Sequence, residues 1–180
     1  MLIRNYQSTD QTAWLRCRAL AFLDTCYYDD VWPRRPEGPP IQLVAIKNGV
    51  LAGLLDVEID GDLATIDTVA VHPDHRGLGV ATALLEAAIG LVPAGVTTLG
   101  AWTREDAPAL AWYRRRGFAE SDHYLHVYKG YDEPNDGWAS PAPLWRPVMA
   151  FCHAPLDAEA AVRARFARVY VCRRFSRPVR

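Results

Sequence analysis

Apolar and polar positions change period several times along this 180-residue chain, and each change marks an element. Leu2 to Tyr6 predicts a short strand. Ser8, with Gln11 three residues on, predicts a capping box. It would open a helix carrying Trp14, Leu15, Ala19, Phe22 and Leu23 at helical spacing. Prolines and aromatics crowd Tyr27 to Pro40, which reads as an ordered loop. The apolar runs Ile41 to Lys47 and Leu51 to Ile59 flank Asn48-Gly49, a pair suited to two positive φ angles and therefore to a hairpin. Asp60-Gly61 turns the chain into a further strand, Leu63 to Val71, and completes an antiparallel meander.

The period then lengthens. Ala81, Leu84, Leu85, Ala88 and Ile89 predict a helix that Pro93-Ala94-Gly95 ends. Val96 to Trp102 reads as a strand. Asp106 is placed to cap a helix with Pro108 in its first turn, which runs to about Arg116 and stops at Gly117. Phe118 to Lys129 is a strand, Gly130 to Pro147 a loop without period, Leu156 to Phe166 a short helix, and Arg168 to Phe175 a final alternating strand. That last strand could close the sheet within the chain or be exchanged in a homodimer. The pattern predicts an α/β fold in one domain over residues 1–180. Its mixed, twisted sheet has about six to seven strands, flanked by helices on both faces.

Composition narrows the classes. Half of the residues are hydrophobic and 23% charged, a globular balance, and the formal charge of −1 gives no field to recruit nucleic acid or an anionic membrane. Arginines recur from Arg163 to Arg180 with no acid among them, read as a solvated edge rather than a nucleic-acid surface. No apolar run approaches the roughly 20 residues of a membrane span. Cys17, Cys26, Cys152 and Cys172 form no Cys-x-x-Cys pair, so reduced thiols in a cytoplasm are expected. His123 and His126 are read as facing one way on their strand with no third ligand, so no metal site is expected.

The sharpest chemical feature is Asp74-His75-Arg76-Gly77-Leu78-Gly79-Val80-Ala81, between a strand and a helix. Glycines there let a ligand approach the backbone, and free N–H groups at the helix start make an anion site suited to a diphosphate. Arg76 could pair with a phosphate oxygen. A plain strand–helix turn remains the alternative. No Gly-Lys-Ser/Thr ending follows, as a phosphate-binding loop of the Walker type requires, and a dinucleotide fingerprint lacks its third glycine and parallel setting.

Val71-His72-Pro73 followed by Arg76, Gly79 and Ala81 resembles the GNAT superfamily of N-acetyltransferases, whose signature is Gln/Arg-x-x-Gly-x-Gly/Ala after Val-x-Pro. The resemblance covers about residues 1–130. It implies acetyl-CoA as co-substrate, bound by the loop Arg76, Gly77, Leu78, Gly79, Val80 and Ala81 with its diphosphate on the backbone N–H groups from about Leu78 to Ala81, and its pantetheine arm paired to the strand edge Val69, Ala70 and Val71. Tyr113-Arg114-Arg115-Arg116-Gly117-Phe118 matches the family's Tyr-x-x-x-Gly-Phe, which implies Tyr113 as general acid for the departing thiolate. A phenol protonated at neutral pH suits that role. Asp106 stands where the family often has asparagine, and it cannot donate as an amide does. Asp67, the acid well inside the preceding strand, is the candidate base. Tyr28, Asp29 and Asp30 are the candidate receivers of a cationic amine. Transfer to a small primary amine is the leading expectation, with a protein-directed acetyltransferase or a non-catalytic acyl-CoA sensor as alternatives.

Overall fold

The computed structural model describes residues 1–179. It comprises β1 (Leu2–Asn5), α1 (Gln11–Phe22), β2 (Ile41–Lys47), β3 (Val50–Asp60), β4 (Leu63–Val71), α2 (Val80–Leu91), β5 (Thr98–Thr103), α3 (Ala107–Arg115), β6 (Ala119–Lys129), β7 (Ala150–Ala154), α4 (Glu159–Arg165) and β8 (Arg168–Pro178). The strands form one mixed sheet in the order β1-β2-β3-β4-β5-β8-β6-β7, with β4–β5 the parallel pair. Asn48 (φ 53°) and Gly49 (φ 79°) make the predicted hairpin turn.

Alternation along β2 and β3 sends side chains to two cores. Val44 and Leu54 pack with Trp14, Cys17 and Ala21 of α1. Leu43, Leu55 and Val57 pack with Val80, Leu84, Leu85 and Ala88 of α2. Helices therefore cover both faces. A third cluster, Leu125, Val127, Val169 and Val171, lies beneath Leu156, Val162 and Phe166 around α4.

Four details correct the sequence reading. The capping box opens the 3-10 turn Ser8–Asp10 that leads into α1 rather than α1 itself: the Gln7 N–H donates to the Asp10 carboxylate at 2.8 Å. Leu23 is exposed, and the buried face of α1 instead includes Arg18, whose guanidinium lies 3.5 Å from the Trp32 ring centroid. Strand β7 was not anticipated. It pairs with β6 alone and raises the count to eight; its inward positions are the small Ala150, Cys152 and Ala154, while Phe151 and His153 are exposed, so the usual alternation of large apolar and polar residues is not there to read. The closing strand β8 runs to Pro178 and is inserted between β5 and β6, pairing within the chain.

Candidate functional site

The parallel pair β4–β5 holds only from Leu63↔Thr98 to Ile66↔Ala101. Beyond it β5 continues against β8, through Trp102↔Arg174 and Thr103↔Arg173, while β4 stays with β3. The two strands part where β4 bulges. Asp56 pairs with Thr68 and Val57 with Ile66, so Asp67 is left without a partner. An extra residue bends its strand and re-aims its side chain. Asp67 is exposed on the wall of the resulting split and accepts a hydrogen bond from the Thr68 hydroxyl at 3.1 Å.

A cavity of about 840 Å³ fills the split and passes between the two faces of the sheet. On the α2 side its wall is Val69, Ala70 and Val71, then Arg76, Gly77, Gly79, Val80 and Ala81. Gly77 (φ 75°) and Gly79 (φ 78°) are left-handed, and a Cβ at either would meet no atom within 4 Å, so the glycines answer a backbone need and leave open space above the loop. The first N–H groups of α2 lack partners within the helix and face that space. This suits a phosphorylated, extended ligand. Leu78 is exposed and stands outside the cavity wall. The Arg76 guanidinium is already engaged, by Asp24 at 2.6 and 2.8 Å and by the Ala21 carbonyl at 2.8 Å.

Across the split, Tyr113 stacks on Phe175 (5.6 Å between centroids) and meets Trp112 and Phe118 edge-on. Burial pushes its hydroxyl pKa up, so the phenol keeps its proton. Asp106 precedes α3 and lines the cavity, but its carboxylate does not cap the helix. It accepts the Cys26 N–H at 2.9 Å and so ties the loop after α1 to α3.

The acceptor side departs from expectation. Of Tyr28, Asp29 and Asp30, only Asp30 lines the cavity. Asp29 turns away to a two-point pair with Arg168, on which Tyr28 also packs. Asp30 is held by Arg18 at 2.7 Å and by the Trp32 indole N–H at 2.9 Å. Adjacent residues point apart in this turn, and each finds an arginine from a distant element, so no free acidic pair awaits a cation.

The side chains that do wall this end are Tyr27, Trp32, Trp102, Tyr124, His126 and Cys172. The alternation Tyr124, His126, Tyr128 could have flagged one polar, aromatic face of β6. His123 and His126 are three apart on a strand and therefore face opposite sides: His123 is exposed beside Glu120, and His126 is buried beside Arg104. The tryptophans after Gly137 do not reach the cavity; Trp138 packs on Phe166 and Trp145 is exposed. Among the described residues no group of three or more His, Cys, Asp or Glu is arranged to hold a metal. No helix among them is long and apolar enough to cross a membrane.

Comparison with known proteins agrees with this geometry. The model of the acetyltransferase (GNAT) family matches residues 6–118. The chain is 33% identical over 100 residues to the ribosomal protein bS18-alanine N-acetyltransferase of Escherichia coli strain K12, covering 54% of this chain and 68% of that one. The Escherichia coli enzyme's crystal structure superposes with a TM-score of 0.60 at 20% identity, covering 99% of this chain and 93% of that one. A mycothiol acetyltransferase of Clavibacter michiganensis subsp. michiganensis is 36% identical over 76 residues, which is 41% of this chain but only 25% of that longer protein. The PaiA N-acetyltransferase of Thermoplasma acidophilum, solved in complex with coenzyme A, shares the fold with a TM-score of 0.58 and 12% identity, covering 67% of this chain and 91% of that one. With a family match over most of its length, a signature at the start of α2 and a sheet split beside it, the chain belongs to the GNAT family of acyl-CoA-dependent N-acetyltransferases.

Proposed function

We propose that the chain moves an acetyl group from acetyl-CoA to the primary amine of a small molecule, by direct attack within a ternary complex. One observation carries the reading: Asp67, Tyr113 and the glycine loop line a single cavity at the parting of β4 and β5. Bound acetyl-CoA would supply the thioester that makes the acyl carbon electrophilic. The N–H groups of the loop through Gly77, Leu78 and Gly79 and of Val80 and Ala81 would hold its diphosphate. The open edge of Val69, Ala70 and Val71 would hold the pantetheine arm as an added strand. Arg76 would contribute by exchanging Asp24 for a phosphate oxygen, and Asp106 would shape the far wall.

Asp67 would take a proton from the arriving ammonium, directly or through water, so that a neutral amine attacks. Backbone donors near Val71 would stabilise the carbonyl oxygen as charge develops on it. As the new C–N bond forms and the C–S bond breaks, the nitrogen would release its second proton to water, Tyr113 would deliver its proton to the sulfur, and the phenolate would be reprotonated from solvent. A non-catalytic sensor would have no need of an acid and a base in one cavity. The aromatic walls Tyr27, Trp32, Trp102 and Tyr124 favour a compact acceptor. Likeness to an acetyltransferase named for a ribosomal protein supports a protein N-terminus as the second reading. Thiol release from acetyl-CoA against a panel of small amines and N-terminal peptides tests both. Turnover with small amines upholds the proposal, turnover with peptides alone favours the second reading, and turnover with neither refutes both.

A further inference from the structure

Resting on that transferase reading, we infer that the acceptor is an amino-acid-like amine, carrying a carbonyl or carboxylate oxygen beside its amino group that the Tyr124 hydroxyl binds. Arg104 is 6% exposed, and among the described residues it has no carboxylate within salt-bridge distance. Its partners are neutral: the Cys26 carbonyl, the Tyr128 hydroxyl, the His126 ring and the Tyr27 ring at 4.0 Å. A buried cation held only by neutral groups leaves positive potential at this end of the cavity.

The hydrogen bonds carry that polarity inward with a fixed direction. The Arg104 Nε–H donates to His126 Nδ1 at 3.0 Å. Arginine keeps its protons, so His126 Nδ1 must present a lone pair and the neutral ring carries its proton on Nε2. That N–H lies 3.2 Å from the Tyr124 hydroxyl oxygen and donates to it. Tyr124 keeps a hydroxyl proton polarised by a donor chain that starts at a guanidinium, and its present partner is the Cys172 sulfur, a weak acceptor that a ligand oxygen would displace. Tyr124 and His126 both line the cavity. His126 stays neutral, since burial, then Arg104 and His153, lower its pKa to about 4.

Asp67 completes the complement. It is exposed to the same cavity and accepts from the Thr68 hydroxyl, and no arginine pairs with it directly as one does with Asp29 and Asp30, although Arg18 is near enough to interact with its charge. One end of the acceptor space thus favours an ammonium and the other a hydrogen-bond acceptor of negative character. A simple alkylamine would satisfy Asp67 and leave the Tyr124 donor on the weakly accepting Cys172 sulfur. A free amino acid would satisfy both through its carboxylate, and a peptide N-terminus through its first carbonyl.

The test compares acceptors matched except for that oxygen: phenylalanine, a phenylalanine-initiated tripeptide and phenethylamine, with alanine, an alanine-initiated tripeptide and ethylamine. Transfer is read as thiol release by the full chain. The expected result is a kcat/KM at least about 10-fold higher for one of the oxygen-bearing forms than for the bare amine, expressed mainly in KM. In Tyr124→Phe that preference should fall to about twofold or less. The ring and its edge contact with Trp102 (4.9 Å) remain in this variant, and an unchanged melting point verifies its fold. The free amino acid and the tripeptide arms tell a carboxylate from a peptide carbonyl. Bare amines turned over as well as their partners, or a preference that survives Tyr124→Phe, would overturn the inference while leaving the transferase reading intact. No turnover of any amine would overturn both.

Discussion

Gly53, in β3 opposite Val71, tests whether the seating of α2 on the sheet sets the diphosphate site. Its backbone is not left-handed, so alanine meets no conformational objection, only a spatial one. A Cβ there would stand 2.7 Å from Val80 Cγ1, 3.0 Å from the Ala70 carbonyl oxygen and 3.3 Å from Leu84 Cδ1. Carbon contacts settle near 3.5–4.0 Å, so Val80 must retreat by roughly 1 Å. Val80 is β-branched and 1% exposed, and cannot rotate away. It is also the first residue of α2, so the amides proposed to bind phosphate move with it. Overpacking of this kind costs about 1–3 kcal/mol, offset by about 0.4–1 kcal/mol from the stiffer unfolded chain. The net loss of about 1–2 kcal/mol should lower the melting point by about 2–8 °C. Acetyl-CoA affinity by calorimetry should fall about 3- to 10-fold. A Gly53→Ala variant with wild-type melting point and affinity would refute the reasoning.

Three further outcomes are expected. Tyr113→Phe, which keeps the stacked ring, should lower kcat about 100-fold with acetyl-CoA affinity unchanged within about twofold; full turnover would remove Tyr113 from the chemistry. Asp24→Asn should release Arg76 and tighten acetyl-CoA binding by about 2- to 5-fold, whereas unchanged or weaker binding would show that Arg76 serves the α1 contact alone. His126, with its folded pKa lowered to about 4, takes up its proton in the unfolded chain first, at about 6.5. Its contribution is complete above pH 6.5 and is lost as pH falls towards 4, by at most about 3 kcal/mol. Urea unfolding of His126→Gln should show a shallower slope over that window than wild type, and equal slopes would exclude His126 as the cause.

Much of the fold was legible because local chemistry and burial agree. Asn48-Gly49 permits the turn that its apolar flanks require, and Ala81, Leu84, Leu85 and Ala88 repeat with the period of the helix they build. The glycine loop was legible because backbone freedom at Gly77 and Gly79 marks a close approach, whereas Tyr113 stood out only through its match to the family's Tyr-x-x-x-Gly-Phe. Strand β7 was not legible, because its inward face is built of small Ala150, Cys152 and Ala154 while the larger Phe151 and His153 point outward, which inverts the pattern that marks a half-buried strand. Asp67 was visible as an acid in a strand, but not as the unpaired residue of a bulge, since a bulge depends on the register of the neighbouring strand.

The acceptor end shows the same division more sharply. Sequence alone determined that Tyr28, Asp29 and Asp30 share a loop, and it suggested a shared charge. Tertiary structure assigned Asp29 to Arg168, 139 residues away, and Asp30 to Arg18, which removes that charge. It also brought Arg104, just beyond the end of β5, into one donor chain with His126 and Tyr124 of β6, although β5 and β6 are not neighbours in the sheet. Periodicity reports which face of an element meets apolar surroundings, because burial repeats with the backbone. Ion pairs and hydrogen-bond direction depend on which distant side chain arrives, and that is decided only when the sheet order places β8 between β5 and β6.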